Sequence, residues 1–400
     1  MILKLNDAEK KSAMTRHDIR MIDKNTRRKT DKQKTDKQKT VKQKEAGVAL
    51  ITALLIVSLA SIMAVSLVQS QYMDVRRTGN IMTSDKAYLQ ALTMETSAAH
   101  LLKFSREVLE KRIDDKKEFD QAVLGLNASA MQVSEGEAAV SLELVYPGAL
   151  FNVNTLVDSN GAALPKNKKI FKNLLELVLE DIDEPVSLAD NLTDSLLDWI
   201  DKDENESPNG AEDSIYESKE PPYKTANQPM ASVSELKLVE GYGKKILYGI
   251  PKDPNDENSV AIPGILHYVS ALPVDSTINL NLVTEPKIIK SLSVYITDTM
   301  VNDIFNSQPF ADNDAFIGHI TWDNITGTGT AGAAATGDRQ NFNQDMADAK
   351  SLLEVQSSYF VAKSTATLGK SVFILNSLVY VNTTGTKLEV ISRAIGTDGI

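Results

Sequence analysis

The longest apolar run of the chain lies near its N-terminus and passes into a weaker helical pattern. No charged residue occurs between Glu45 and Asp74, and residues 47–68 are almost entirely apolar. About twenty such residues, at ~1.5 Å each, cross the hydrocarbon core of a bilayer. Beyond residue 81, apolar residues recur at spacings of three, four or seven, which predicts a single stripe along a helix; they are Tyr88, Leu92, Ala99, Leu102 and Leu109. The pattern therefore predicts one helix over residues 48 to about 112, with residues 48–70 in the membrane.

The rest of the chain changes from strand patterns to helix patterns and back. Period-two alternation and β-rich runs predict strands over 131–146, 151–157, 359–367, 371–381 and 387–394. Helical spacing and cap residues predict helices over 170–179, 191–199, 232–238 and 285–292. Strands on both sides of a long helical block indicate an α+β fold with a helical domain inserted into the sheet.

Charge is distributed unevenly along the chain. Residues 1–47 contain fifteen Lys/Arg and seven Asp/Glu, a balance of +8, so the other residues carry −11 − 8 = −19. A basic head before an apolar span and an acidic body after it follow the positive-inside rule for a cytoplasmic leader and an exported domain. An acidic body is repelled by phosphate backbones, which argues against nucleic acid as a partner. The chain has no cysteine, so disulfides and thiolate metal sites are excluded.

The leader differs from a secretory signal. A cleaved signal has a shorter apolar core followed by a small-residue site, whereas here Ala46-Gly47 precedes the apolar run. Residues 30–44 form a five-residue repeat, TDKQK-TDKQK-TVKQK, whose composition predicts a disordered tail unless translation begins at Met14 or Met21. Hydropathy alone leaves a plain single-pass anchor as an alternative, because it predicts the span and not its processing.

A glycine directly before a retained apolar helix resembles the type IV pilins and pseudopilins. The resemblance implies cleavage by a prepilin peptidase between Gly47 and Val48, followed by N-methylation at Val48. Subunits of these families usually carry glutamate at the fifth mature position, where this chain has Thr52. Absence of that glutamate marks the K-type minor pseudopilins of type II secretion, which the run GVALITALLIV resembles. Three further segments are similar to that family: SLLDWIDKDENESPNGAEDSIY (195–216), PPYKTANQPMASVSELKLVEG (221–241) and INLNLVTEPKIIKSLS (278–293).

The resemblance implies a pilin-like fold, a long transmembrane helix plus an antiparallel sheet, with an inserted all-α domain of SAM-like or helix-hairpin-helix type. The implied divisions are a cytoplasmic basic leader (1–47), the pilin helix (48–115), a first α/β part (116–160), the inserted domain with its acidic loop (161–350) and a second sheet part (351–400). The implied function is a non-enzymatic pseudopilus tip subunit that caps or initiates assembly during protein export. The implied location is the inner membrane, single-pass, with the C-terminal domain in the periplasm. Implied partners are the I- and J-type minor pseudopilins, the major pseudopilin, the prepilin peptidase and the inner-membrane assembly platform.

The acidic stretch 181–220 holds fourteen acidic residues and two lysines. Charge runs are usually solvated surface, but this one has the oxygen spacing of an EF-hand calcium loop. Counted from Asp201, the residues at positions one, three, five, seven and twelve are Asp201, Asp203, Asn205, Ser207 and Glu212. Glu206 replaces the usual glycine at position six, so we expect Pro208-Asn209-Gly210 to make the turn.

Calcium binding in this region is also implied by the K-type resemblance. It assigns ligand roles to Asp201, Asp203, Glu212 and Asp213, with Asp198 and Asn205 as possible additional ligands. The expected role of the calcium is structural.

Motifs of enzymes are weak in this chain. G-x-G-x-x-G at Gly327, Gly329 and Gly332 lacks the strand and helix of a dinucleotide site, and LGKS (368–371) lacks the first glycine of a phosphate loop. There is no H-E-x-x-H or G-x-S-x-G, and the four histidines are isolated. We therefore predict no enzyme. The alternatives left open are a minor pilin of a type IV pilus and a membrane-anchored periplasmic enzyme or binding protein.

Overall fold

The computed structural model describes residues 6–110, 131–135, 138–256, 258–319, 335–355, 357–369, 371–381 and 388–396. It contains helices and strands in alternating blocks, so the predicted α+β class is confirmed. The chain divides into two compact units, Met1–Ile81 and Met82–Ile400.

Helix α1 runs over Asn6–Glu110. The prediction of a disordered leader is wrong for this structure, since the described residues before Gly47 are helical. The physical reason is that the leader has no proline and no glycine before Gly47, while Lys, Arg, Gln and Glu are good helix formers. Gly47–Ala98 contains the one segment, among the described residues, that is long and apolar enough to cross a membrane, and that window is not buried in the protein.

The second unit contains a five-stranded antiparallel sheet. In the order in which they pair, its strands are β1 (Met131–Glu135), β2 (Ala138–Val145), β9 (Tyr359–Leu368), β10 (Ser371–Val381) and β11 (Leu388–Ile395). The last three agree closely with the predicted strands. The predicted strand 131–146 is instead a pair of antiparallel strands, β1 and β2, separated in the sequence by Gly136-Glu137.

The last described part of α1 packs on this sheet through small residues. Ala87, Ala91, Met94 and Ala98 are buried with the inner faces of β2, β9 and β10. Of the predicted stripe, Leu92 packs on this cluster, whereas Tyr88 is 38% exposed and its ring makes a T-shaped contact with that of Phe373. The side chains of Ala99, Leu102 and Leu109 lie outside the described residues. Alanine at the contact positions lets the helix backbone approach the strands closely.

The helical part of the second unit lies between β2 and β9 in sequence, as predicted. Its helices are α2 (Pro165–Asp181), α3 (Leu188–Ile200), α4 (Asp213–Tyr216), α5 (Lys244–Tyr248), α6 (Pro286–Ser291), α7 (Asp298–Ser307), α8 (Asn313–His319) and α9 (Ala335–Ala349). The described residues of this part also form short strands: β3 (Phe151–Asn152), β4 (Gly249–Ile250), β5 (Ile262–Pro263), β6 (Val269–Ser270), β7 (Ile278–Asn279) and β8 (Leu353–Glu354).

Three of these helices, α2, α3 and α6, were predicted from the sequence, whereas α4, α5, α7, α8 and α9 were not. Two further predicted segments differ in the structure. The predicted helix 232–238 is a 3-10 helix over Val233–Lys237, with Ser232 and Glu235 forming a capping box. The predicted strand 151–157 is wrong after its second residue, because Val153–Leu156 forms a 3-10 helix. There the buried Asn152 side chain accepts a hydrogen bond from the Asn154 N–H, which is a local alternative to strand pairing. The domain divisions inferred from the resemblance stay predictions.

Candidate functional site

The acidic loop, residues 201–212, connects α3 to α4. Helix α3 ends at Ile200 and α4 begins at Asp213, so the loop has helices on both sides. Its sharp turn is the predicted one: the Gly210 N–H donates to the Ser207 carbonyl oxygen at 3.0 Å, with Pro208 and Asn209 between them. The absence of glycine at the sixth loop position is compensated by this later turn.

Asp198 anchors the loop from the last turns of α3. Its side chain is fully buried, and its two carboxylate oxygens accept from the Ser207 N–H at 3.2 and 3.0 Å. A Cβ atom on Gly210 would lie 1.8 Å from Asp198 Oδ2, so only glycine fits there. Burial raises the pKa of the Asp198 carboxyl above its usual value.

Asp201 and Glu212, at the two ends of the acidic loop, are buried without full hydrogen bonding. Asp201 is 7% exposed and Glu212 is 6% exposed. Asp201 Oδ1 and Glu212 Oε1 have no hydrogen-bond partner. Burial, and then repulsion from Asp203, Asp198 and Glu212, raises the pKa of Asp201 to about 7. Burial, followed by repulsion from Asp198, also raises the pKa of Glu212. These carboxylates therefore share one region that is short of positive charge.

Asp203 and Asn205 lie on the exposed side of the same loop. Asp203 Oδ1 accepts from the Asn205 N–H at 2.8 Å and from its side-chain amide at 2.7 Å. Asp203 still acts on the buried end of the loop, since its charge is the second cause of the raised Asp201 pKa. The structure thus brings Asp198, Asp201, Asp203 and Glu212 into one electrostatic group.

Asp213 is directed to other partners. One of its oxygens accepts from the Thr225 N–H and Oγ1 at 2.9 and 2.6 Å, and the other accepts from Lys224 Nζ at 2.6 Å. Hydrogen bonds from Lys224 and Thr225 lower the pKa of Asp213 to about 2. Asp213 is therefore fully hydrogen-bonded within the chain, whereas Asp201 and Glu212, which were also predicted as calcium ligands, each have an oxygen without a partner.

Two residues that the sequence reasoning missed also hold the loop. Asp194, one helical turn before Asp198, is buried and accepts from the Asn209 N–H and side-chain amide at 3.2 and 3.1 Å. Thr225 Oγ1, whose single proton is shared with the shorter bond to Asp213, lies 3.3 Å from Glu212 Oε2. The four-residue spacing of Asp194 and Asp198 on one helix face was an available signal for the first of them.

The donor set suits a hard cation. Carboxylate oxygens are the preferred ligands of Ca²⁺, and a divalent ion beside Asp201 and Glu212 would satisfy both unpartnered oxygens and offset the burial and the repulsion that raise their pKa values. In the described residues, no group of three or more His, Asp or Glu side chains is already drawn together as a closed ligand shell. The fit therefore rests on the two buried oxygens and on the charge of the loop.

Gly47, Val48 and Thr52 lie on exposed positions of α1. The Thr52 hydroxyl donates to the Ala49 carbonyl oxygen at 3.0 Å, so the helix itself satisfies this polar group. Ser58 and Ser61 make the same kind of bond, to Leu55 and Val57. A lipid-facing surface with internally satisfied hydroxyls needs no polar neighbour.

Of the weak enzyme motifs, only LGKS lies largely within the described residues. The G-x-G-x-x-G motif lies outside the described residues. Gly369 of LGKS has φ +58 and joins the antiparallel strands β9 and β10, which is a hairpin and not a strand–loop–helix. His267 Nε2 lies 3.1 Å from Glu285 Oε1 on the surface.

Comparisons with known proteins agree on one family. A family model described as "Type II secretion system (T2SS), protein K" matches residues 149–250, which include the acidic loop. Type II secretion system protein K of Pectobacterium carotovorum subsp. carotovorum is 26% identical over 357 residues, covering 88% of this chain and 97% of that protein. The protein of the same name from Klebsiella pneumoniae is 33% identical over 200 residues, covering 49% of this chain and 58% of that protein.

A solved structure supports the fold. The crystal structure of the GspK-GspI-GspJ complex from the enterotoxigenic Escherichia coli type 2 secretion system contains a chain that matches with a TM-score of 0.54 at 21% identity. The match covers 78% of this chain and 98% of that chain. The sequence comparisons confirm the predicted resemblance to protein K of type II secretion systems, and the solved structure supports the same fold.

Proposed function

We propose that this chain, a relative of protein K of type II secretion systems, is the tip subunit of a periplasmic pseudopilus. It initiates or caps assembly and supports protein export across the outer membrane, without catalysing a reaction. Its proposed partners are the I- and J-type minor pseudopilins, the major pseudopilin, the prepilin peptidase and the inner-membrane assembly platform. Its proposed location is the inner membrane, with the domain after α1 in the periplasm.

The observation that carries this proposal is the breadth of the similarity to protein K. The alignment with the Pectobacterium protein covers 97% of that relative, so the apolar helix, the sheet and the helical block have counterparts in one protein. The solved chain of similar fold stands in a complex with I- and J-type subunits, which supports the same partners here. By the same likeness we propose that the sheet and α1 form a pilin-like fold and that the helical block is of SAM or helix-hairpin-helix type.

The tip position is supported by the chemistry of Thr52. A carboxylate at this depth of a bilayer is costly unless a neighbouring subunit pairs with it. Thr52 places no charge there, and its hydroxyl is satisfied by Ala49. A subunit with this surface can end an assembly because its membrane helix leaves no unpaired charge.

Three measurements test the proposal. N-terminal sequencing of the protein extracted from membranes should give a methylated Val48 as the first residue. Gly47→Val should leave the leader attached and abolish secretion, whereas Gly79→Val, an exposed glycine of the same helix with no atom within 4 Å of a built Cβ, should be processed normally. An intact leader in a strain that secretes normally would refute the proposed processing.

Co-purification distinguishes a type II secretion system from a type IV pilus. We expect a stable complex of this chain with the I- and J-type subunits.

We further propose that calcium binds the acidic loop and fixes its fold. Asp201 and Glu212 would hold the ion, helped by Asp198 and Asp203, and Asn205 is a further candidate. The bound ion supplies positive charge to a long loop that has no disulfide. Calorimetry on the full chain in detergent should detect calcium binding at or below millimolar concentration, weakened at least about tenfold by Glu212→Gln, because a charged ligand is lost. A titration without heat and without a rise in melting temperature would contradict the calcium site while leaving the secretion role intact.

A further inference from the structure

A second polar site lies where the chain passes between the five-stranded sheet and the helical block. It is an open cleft of about 170 Å³, which we name the crossover cleft. Its walls come from four separate segments of the chain, and they include Gly148, Asp275, Ser276, Glu354, Tyr359 and Tyr380. At roughly 30 Å³ per water molecule, the cleft has room for one small chemical group and a few waters.

The lining of the crossover cleft is negatively charged. Asp275 and Glu354 stand at its exposed rim. No lysine, arginine or histidine occurs among the described residues that line it, and serine, threonine and tyrosine hydroxyls make up most of the rest. The cleft therefore presents two carboxylates and several hydroxyls without a positive partner of its own.

Ser276 gives an independent sign of a ligand. It is only 5% exposed and lines the cleft, yet its Oγ has no hydrogen-bond partner. Its backbone N–H is satisfied by the Pro273 carbonyl oxygen at 3.0 Å, so the unsatisfied group is the hydroxyl alone. A buried polar atom without a partner costs free energy, which a hydrogen bond from a ligand or a water would recover.

The wall that carries Ser276 is held rigidly by two buried asparagines. Asn152 accepts from the Leu272 N–H at 2.9 Å and donates to the Pro273 carbonyl oxygen at 2.8 Å. Asn154 donates to the Leu272 carbonyl oxygen at 2.8 Å. These bonds form the site before any ligand arrives, which reduces the entropy cost of binding.

Two tyrosine rings complete the cleft. Tyr359 and Tyr380 face each other across β9 and β10, with ring centroids 5.3 Å apart. The Tyr359 hydroxyl donates to Asp275 Oδ1 at 3.4 Å. Burial, followed by the nearby Asp275 charge, raises the pKa of Tyr359 to about 12, so the phenol stays neutral and keeps this bond. Neutral aromatic rings attract organic cations through their faces.

We infer that the crossover cleft binds a primary ammonium group on a short alkyl stem. Such a group brings three N–H donors, which suit carboxylates and hydroxyls together, and its methylenes suit the tyrosine rings. A divalent metal fits less well, because both carboxylates are exposed and the rings offer it no ligand. The ammonium has two possible sources, a lysine side chain of a neighbouring protein and a free diamine.

Calorimetry with the full chain in detergent tests the ligand chemistry. The probes are Nα-acetyl-lysine N-methylamide and cadaverine, and the control is the norleucine analogue of the first, which keeps the stem and lacks the ammonium. We expect both amines to bind and the control not to bind. Asp275→Asn with Glu354→Gln should weaken the amines by at least about tenfold, since charged hydrogen bonds are removed. Asp303→Asn, which removes an exposed acid on α7, should leave binding unchanged.

Three results would overturn the inference of an ammonium site. Binding of the norleucine control as strong as that of the amine, or amine binding that survives the double substitution, overturns the inference. So does calcium binding that this substitution abolishes, when no amine binds. If the double variant fails to fold, Ser276→Ala replaces it: it removes only the unpartnered hydroxyl and should weaken the amines several-fold. These tests need no secretion partner, so they succeed or fail independently of the proposed function.

Carbodiimide treatment of membranes distinguishes the two sources. It joins a carboxylate to a lysine in direct contact, and a cross-linked peptide that contains Asp275 or Glu354 and a lysine of another chain supports the protein source. A diamine released from the purified protein and identified by mass spectrometry supports the free source. Either result supports the ammonium chemistry, and absence of both, together with no heat of amine binding, overturns it.

Discussion

The inward-facing carboxylate Glu95 and the pair Asp201 and Glu212, all in the second unit, have contrasting surroundings. Glu95 on α1 receives two hydrogen bonds at 2.8 Å from Arg393 on β11 and one from Ser377 on β10. The hydrogen bonds from Arg393, first among the causes, lower the pKa of Glu95. Asp201 and Glu212 have raised pKa values and an oxygen each without a partner.

The difference shows which buried carboxylates are paired with a cation of the chain itself. Burying an unpaired charge is costly, so each carboxylate needs a cation from the chain or from solution. The contact between α1 and the sheet carries its own cation in Arg393. The acidic loop has none at Asp201 and Glu212, and its structure should depend on the ions around it. The predictions below test that contrast.

The largest expected effect is the removal of calcium. At a calcium concentration about 1,000 times Kd, binding adds about 4 kcal/mol to the free energy of unfolding, or roughly 10 °C in Tm for a domain of this size. Thermal unfolding of the full chain in detergent, with calcium or with a chelator, measures this difference. Trp199 is a suitable fluorescent reporter, since it is buried at the end of α3 and packs on Tyr216.

Two controls define the result of that experiment. Magnesium at the same concentration should restore less stability, because it requires a smaller and stricter octahedral site. Glu95→Gln should leave the calcium-dependent difference unchanged. Equal Tm values with calcium and with the chelator would show that the loop needs no ion, and the contrast between the two groups would disappear.

Gly210→Ala should have the next largest effect. Its new Cβ would lie 1.8 Å from Asp198 Oδ2, so the buried anchor or the turn must move. We expect a loss of about 2–3 kcal/mol in unfolding free energy, as for other backbone clashes and broken buried networks, and a weaker calcium affinity. Gly318→Ala is the matched control, because no atom lies within 4 Å of its built Cβ and alanine favours the helix. Calorimetric and unfolding curves that match those of the unchanged chain would contradict the close packing at Gly210.

Glu95→Gln tests the carboxylate that is paired with Arg393. We expect a loss of about 1–2 kcal/mol at pH 7, the low end for hydrogen bonds to charged groups because Arg393 is half exposed and screened. A lowered carboxyl pKa stabilises the fold fully above the ordinary glutamate pKa of roughly 4.3, and this contribution is lost as the pH falls through the folded-state pKa. The two proteins should therefore converge in urea unfolding on acidification below that range. A gap that stays constant would assign the loss to packing.

The sequence predicted the elements whose patterns are local. The sequence predicted the bounds of the strands β9, β10 and β11 and of the helices α2 and α3 to within a few residues. Alternation and helical spacing depend only on residues that are close in the sequence. The face of α1 that packs on the sheet was found only in part, through Leu92. Ala87 and Ala91 lie there because the strands come close, and this closeness depends on residues some 280 positions further along the chain.

The acidic loop shows the same limit at the level of a site. Ligand spacing located the loop and its turn, because both are set by residues within twelve positions. It did not distinguish Asp213 from its neighbours, since the partners of Asp213 come from Lys224 and Thr225. It also missed Asp194, whose role depends on the return of the chain at Asn209.

The smallest expected effect sharpens this last distinction. Asp213 is bound by Lys224 and Thr225, whereas Glu212 has an oxygen without a partner. Asp213→Asn should therefore change the calcium dissociation constant by less than about twofold, against the tenfold or greater change expected for Glu212→Gln as a loss of a charged ligand. Its own cost should appear as a small drop in Tm that is the same with and without calcium, because the Lys224 contact belongs to the chain. Calorimetric titration of both variants side by side measures the contrast. An equal loss of affinity would place Asp213 among the ligands, as the family resemblance implied, and would mean that calcium draws its side chain away from Lys224.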